Sequence, residues 1–144
     1  MTTKDLHNNI RAKRAIAAQT VGTTGTGRTS PVLDVRGYLA REFVINYGAI
    51  TSSTAVFTVL MTESDATGSG FTSVGDDDLL GTESAAGIAA GARVSESTMN
   101  VTKRLGYKGL KRYVKLNVKS TATAAVPISA SLILGFPTMA PVAT

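Results

Sequence analysis

The sequence predicts an all-β protein: an antiparallel β-sandwich, jelly-roll-like, forming a single domain with an extended or partly helical N-terminal arm. Three observations lead there. From Pro31 onward, short stretches alternate apolar and polar residues with a period of two, the pattern of half-buried strands. Turn residues separate these stretches at sandwich-like intervals, and no long helical pattern intervenes. The composition leans on small residues, with 14 glycines, 6% aromatics and no Trp in 144 residues. That mix suits many short strands better than a helix bundle.

Residues 1–30 read as an arm and flexible neck, and residues 31–144 as the sandwich. In the arm, Leu6 and Ile10 stand four apart, so a short helix over residues 4–18 competes with extended chain. Its apolar stripe is thin, and a lone helix of that length is marginal in water. The segment TVGTTGTGRTSP follows, small residues that cost much entropy to fix. PVLDVRG then gives a short strand. REFVINYG places Phe43, Ile45 and Tyr47 on one face and Glu42, Val44 and Asn46 on the other. STAVFTVLMTE is apolar on both faces and reads as a central or interface strand; FTSVG reads as a short strand or edge. DDDLLGTESAAGIAAGARVSES reads as a loop with one helical turn, because Gly81, Gly87 and Gly91 interrupt anything longer. STMNVTKRLGY resumes strand character, and RYVKLNVK sends Val114, Leu116 and Val118 inward. Finally VPISASLILGF aligns Ile128, Ala130, Leu132 and Leu134, with Pro127 confining its beginning to an edge or a bulge.

The net charge of +5 is unevenly spread. Residues 1–41 are mostly basic, residues 63–96 mostly acidic, and residues 103–119 carry only cations among their charged groups. Blocks of opposite sign invite pairing within the fold or between copies. Without cysteine there is neither a disulfide nor a thiolate metal site. No apolar run approaches the roughly 18 residues that cross a bilayer, and nothing at the start reads as a signal peptide.

The stretch GTTGTGRT, residues 22–29, nearly matches a phosphate-binding loop, with Arg28 in place of the Lys. A true loop of that kind opens a helix whose N-terminal amides hold the phosphates. Here the chain runs into Ser30 and Pro31, so flexible neck is the better reading. Asp76, Asp77 and Asp78 lack the alternating spacing of a calcium loop and read as a solvated acidic turn. His7 is the only histidine, and no catalytic set can be built around it. The expectation is a protein that is not an enzyme, with no catalytic residues, metal or cofactor. The segment KRLGYKGLKRYVKLNVK interleaves cations with Tyr107 and Tyr113. It suits a solvated face, a protein contact or a nucleic-acid surface.

Several blocks carry a resemblance: KDLHNNIRAKRAI, DVRGYLAREFVINYGAIT, DDDLLGTE, KRLGYKGLKRYVKLNV and SASLILGFPTMAPV. Together they resemble small virion proteins of tailed bacteriophages, in particular the capsid cement or decoration proteins typified by that of a Bordetella phage. The resemblance implies a jelly-roll-like domain that binds the outside of a shell built from a different major capsid protein. It also implies a homodimer or homotrimer that clamps adjacent capsomers, assembled in the host cytoplasm and placed on the virion surface. A head–tail connector or tail component is the alternative, and a nucleic-acid-binding module a third. No small-molecule substrate or membrane is expected as a partner. From charge and expected exposure, the shell contacts are Leu6, Ile10, Arg11, Lys13 and Arg14 in the arm, with Lys108, Lys111 and Arg112 as a second patch.

Overall fold

The computed structural model describes residues 5–21, 27–50, 55–89, 100–120 and 126–139. After a 3-10 turn at His7–Asn9, the strands are β1 (Ile10–Val21), β2 (Gly27–Thr29), β3 (Leu33–Asp34), β4 (Tyr38–Tyr47) and β5 (Phe57–Ser64). They continue with β6 (Thr72–Ser73), β7 (Leu79–Leu80), β8 (Val101–Tyr107), β9 (Tyr113–Ser120) and β10 (Val126–Pro137). One helical turn, α1 (Glu83–Ala86), precedes β8. One sheet has the order β1-β10-β4-β8-β7; the other runs β2-β9-β5-β6, with β3 also on β9. All pairings are antiparallel. Two such sheets packed face to face are the expected β-sandwich.

The core follows from the period of two. Phe43, Ile45 and Tyr47 of β4 meet Leu132, Ala130 and Ile128 of β10 across the ladder. From the other sheet Val114, Leu116 and Val118 of β9 lie with Val59 and Met61 of β5, and all of them are buried. Tyr47 bridges the layers: its ring lies 5.7 Å from that of Phe57, and its hydroxyl donates to the carbonyl of Ala86 at 2.9 Å. The capped turn α1 covers the edge of β5. Thr82 Oγ1 accepts the N–H of Ala85, and Glu83 Oε1 accepts the N–H of Met61 at 2.6 Å.

The N-terminal segment corrects the expected division at residue 30. Residues 10–21 are extended, not helical, and β1 pairs with β10 from Ile10↔Gly135 to Val21↔Val126. Ala15, Ile16 and Val21 are buried in the shared core. Two irregularities, between Arg14 and Ile16 and between Ile16 and Gln19, insert extra residues that swap faces. They hide the alternation that would have marked a strand. The neck is also partly in the body, because Gly27–Thr29 pairs with Asn117–Lys119 of β9. Arg28 therefore lies in a strand with no helix after it, and residues 22–26 of the phosphate-loop match lie outside the described residues. So does most of the expected loop beyond Ala89, including Gly91.

β2 and β3 form one edge interrupted at Pro31. The N–H of Ser30 donates to the carbonyl of Leu116 at 2.8 Å. The N–H of Leu116 donates to Ser30 Oγ at 2.9 Å, and that hydroxyl donates to the carbonyl of Pro31. The serine side chain thus replaces a ladder acceptor where the chain leaves register. Ser30→Ala would strand the buried Leu116 N–H, at a cost of about 1–3 kcal/mol. Urea denaturation should show a lower midpoint with unchanged slope; an unchanged midpoint would mean the hydroxyl is dispensable.

Candidate functional site

One end of the sandwich gathers the starts of β1, β4, β7 and β9 and the ends of β3, β5, β8 and β10. Asp34, the last residue of β3, organises it. Its Oδ2 accepts from Arg112 Nε at 3.1 Å and Nη2 at 2.7 Å, and its Oδ1 accepts the N–H of Arg36 at 2.9 Å. Its carbonyl accepts from Lys13 Nζ at 2.6 Å, tying β1 to the opposite sheet. The Arg112 guanidinium, helped by the Arg36 N–H, holds the Asp34 carboxyl below its ordinary range against burial. Burial, with Arg11 nearby, lowers the Lys13 ammonium.

The β8–β9 turn is braced with similar care. Tyr107 donates its hydroxyl to Glu63 Oε2 and accepts the N–H of Lys111 at 3.0 Å. Burial, then the Glu63 carboxylate, raises the Tyr107 pKa. Arg41 Nη1 donates to the carbonyl of Gly109 at 2.7 Å, and its guanidinium lies 5.5 Å from the Tyr107 ring centre. Gly109 packs so tightly that an added Cβ would sit 2.5 Å from that ring. Lys111 pairs with Asp65, which lowers the Asp65 pKa. At the tip of this fixed turn, Leu110 is 98% exposed.

These contacts sort the eight expected shell-contact residues. Lys13, Lys111 and Arg112 are spent on Asp34 and Asp65 within the chain. Ile10 is half-buried on the outer face of the first sheet. Leu6, Arg11, Arg14 and Lys108 have exposed side chains, and Arg11, Arg14 and Lys108 make no salt bridge among the described residues.

The least expected surface feature lies beside them. Alternation along β10 buries residues 126, 128, 130, 132 and 134, so residue 136 should also face inward. Instead Phe136 has φ +48° and is 70% exposed. A bulky residue at positive φ is a true outlier, and it directly precedes a proline, which restricts it further. Such a conformation costs about 1–3 kcal/mol. The chain on both sides enforces it: Gly135 pairs with Ala40, Pro137 pairs with Tyr38, and the Thr138 N–H donates to the carbonyl of Gly37 at 2.9 Å. Leu39, between the two β4 residues whose partners flank Phe136, and Met139, three residues after it, are exposed at the same end, and Leu6 is exposed just before the turn that leans on β10. Sequence reading missed this corner, although Gly135 and Pro137 flanking a Phe were the available sign of a break in alternation.

No family model matches the sequence, and no curated protein matches it. Solved structures do share the fold. The PBSX exported protein XepA superposes with a TM-score of 0.55 at 12% identity, over 93% of this chain and 40% of that one. The VP2 subviral particle of infectious bursal disease virus gives 0.53 at 10% identity, over 90% of this chain and 32% of that one. The xylan-binding module CBM15 gives 0.50 at 11% identity, over 94% and 95%. The chain thus spans less than half of the first two proteins and nearly all of the third. At such identities the likeness is one of fold, an antiparallel jelly-roll-like β-sandwich.

Proposed function

We propose that this chain is a virion structural protein that binds the outside of a phage shell and clamps adjacent copies of the major capsid protein. The observation that carries the reading is the sandwich shared with the VP2 subviral particle, taken with a rigid end that presents apolar side chains and cations to solvent. With β1 already laid into the sheet, attachment rests on preformed surface and not on the folding of a loose arm. Each copy, or each homodimer or homotrimer, makes modest contacts, and linked contacts raise the effective concentration of the next. Preferential binding to the mature shell then stabilises it by mass action.

The fold match to the xylan-binding module raises a glycan-binding alternative. Sugar rings stack on open aromatic faces, and the half-buried rings on the second sheet are occupied. Lys115 Nζ lies 3.8 Å from the Phe71 ring centre, and the Arg112 guanidinium 4.8 Å from that of Tyr113. Among the described residues that leaves no bare aromatic platform on the second sheet, and the exposed Phe136 ring stands at the end of the first sheet and not on a sheet face, which favours the capsid reading.

The test is to add purified protein to particles of the encoding phage that lack it. Saturable binding in many copies per particle, with a higher temperature of genome release, is the expected result. Binding in the copy number of a single ring would favour the connector or tail alternative. Binding to free duplex with steep salt dependence, but not to shells, would favour the nucleic-acid module.

A further inference from the structure

We infer that the corner formed by Phe136, Leu39, Met139 and Leu6, with Arg36 and Arg11 at its margin, is the preformed docking point for an apolar recess rimmed by carboxylates on the shell protein. The inference rests on the capsid reading above and names the surface that reading leaves open. Three independent observations meet in this corner. The first is a conformational outlier: the backbone holds the Phe136 ring out of the core and into solvent, and strain of this kind clusters at ligand clamps. The second is exposure: Leu39, which lies across the ladder from Phe136, and Met139, three residues further on, are exposed as well, beside backbone pinned by the Thr138–Gly37 hydrogen bond. An exposed aromatic anchor on a rigid frame is the usual centre of an interface hot spot.

The third is charge, and it identifies the occupant. Arg36 and Arg11 are exposed and make no salt bridge among the described residues. The nearby carboxylates are already engaged: Asp34 by the Arg112 guanidinium and the N–H of Arg36, whose charge it also attracts without an ion-pair contact, and Asp5 by the N–H and side-chain amide of Asn8. A second copy docking symmetrically through this corner would set this cationic margin against an identical one, which like-charge repulsion disfavours. A carboxylate-rimmed recess on a different protein satisfies both the ring and the cations.

The experiment uses the full chain and particles lacking it. Phe136→Gly is the central variant, because glycine adopts φ +48° without strain and little buried surface is lost. Its melting temperature should equal or exceed the wild type, while its affinity for particles falls at least about tenfold. Leu39→Ser should weaken attachment similarly, and Arg36→Glu should weaken it while flattening its salt dependence. Leu60→Ser and Arg28→Glu, on the second sheet, should bind as wild type. If wild type itself ignores the particles, the capsid reading falls. If wild type binds and the three corner variants bind equally well, the corner is not the docking point although the capsid reading survives. Should Phe136→Gly convert a dimer to monomers while particle binding persists, the occupant is a second copy and the inference is overturned.

Discussion

Removing residues 1–21 is expected to unfold the protein and not to release a domain from its arm. β1 supplies the whole outer neighbour of β10, and Ile16, Val21 and Ala15 are buried against the common core. Fully burying one Ile or Val stabilises by about 1.5–3 kcal/mol, so these side chains alone account for a large part of a total near 5–15 kcal/mol. The loss is compounded by what remains. β10 is twelve residues long, and without β1 its unpaired edge and the apolar row from Val126 to Leu134 become a template for aggregation. In the intact protein β1 is itself an edge, but its two irregularities and the cations Arg11, Lys13 and Arg14 discourage further pairing. Far-UV circular dichroism and sedimentation of the truncated chain should show lost β signal or soluble aggregate. A monomer melting cooperatively within a few degrees of full length would show that β1 is dispensable and restore the arm-and-body division.

The same strand shows where sequence reading stops. β4, β9 and β10 were legible because each buries one regular face of large apolar residues, as in Phe43–Ile45–Tyr47 and Val114–Leu116–Val118. In IRAKRAIAAQTV the apolar residues are few, small and thrown out of phase by the irregularities, so periodicity could not separate strand from weak helix. β2 was hidden in a glycine-rich run, yet Gly27 is there because a Cβ would lie 2.7 Å from the Val118 carbonyl. At the candidate site the cations were legible as charges, but not their assignments. Asp34 and Arg112 are 78 residues apart in sequence, and only the closed sandwich shows that Arg112, Lys13 and Lys111 already have partners. Phe136 was the opposite case. The alternation that located β10 correctly points residue 136 inward, and only the backbone reversal at a single position turns it out.

Raising the pH above 10 is expected to destabilise the fold steeply, through two tyrosines. Burial raises the pKa of Tyr47, whose hydroxyl is committed to the Ala86 carbonyl. Burial and the Glu63 carboxylate raise that of Tyr107. In the unfolded chain both ionise near about pH 10. The folded state therefore keeps two protons that the unfolded state gives up, and stability is complete below that pH and falls as it is exceeded. Each retained proton costs about 1.4 kcal/mol per pH unit, so together they remove roughly 3 kcal/mol per unit. Loss of the Lys111–Asp65 pair as Lys111 deprotonates acts in the same direction, since Asp65 raises the Lys111 pKa. Lys13 acts in the opposite one, because burial already lowers its pKa. Urea midpoints measured across this range should drop sharply, with tyrosinate absorbance from the buried pair rising together with unfolding. Tyr47→Phe should cost some stability at neutral pH, by stranding the Ala86 carbonyl, yet remove about half of the alkaline slope. An alkaline slope in wild type no steeper than in the Tyr47→Phe, Tyr107→Phe double variant would show that these hydroxyls ionise within the folded protein, and that the end of the sandwich around Tyr107 is more open to water than its packing implies.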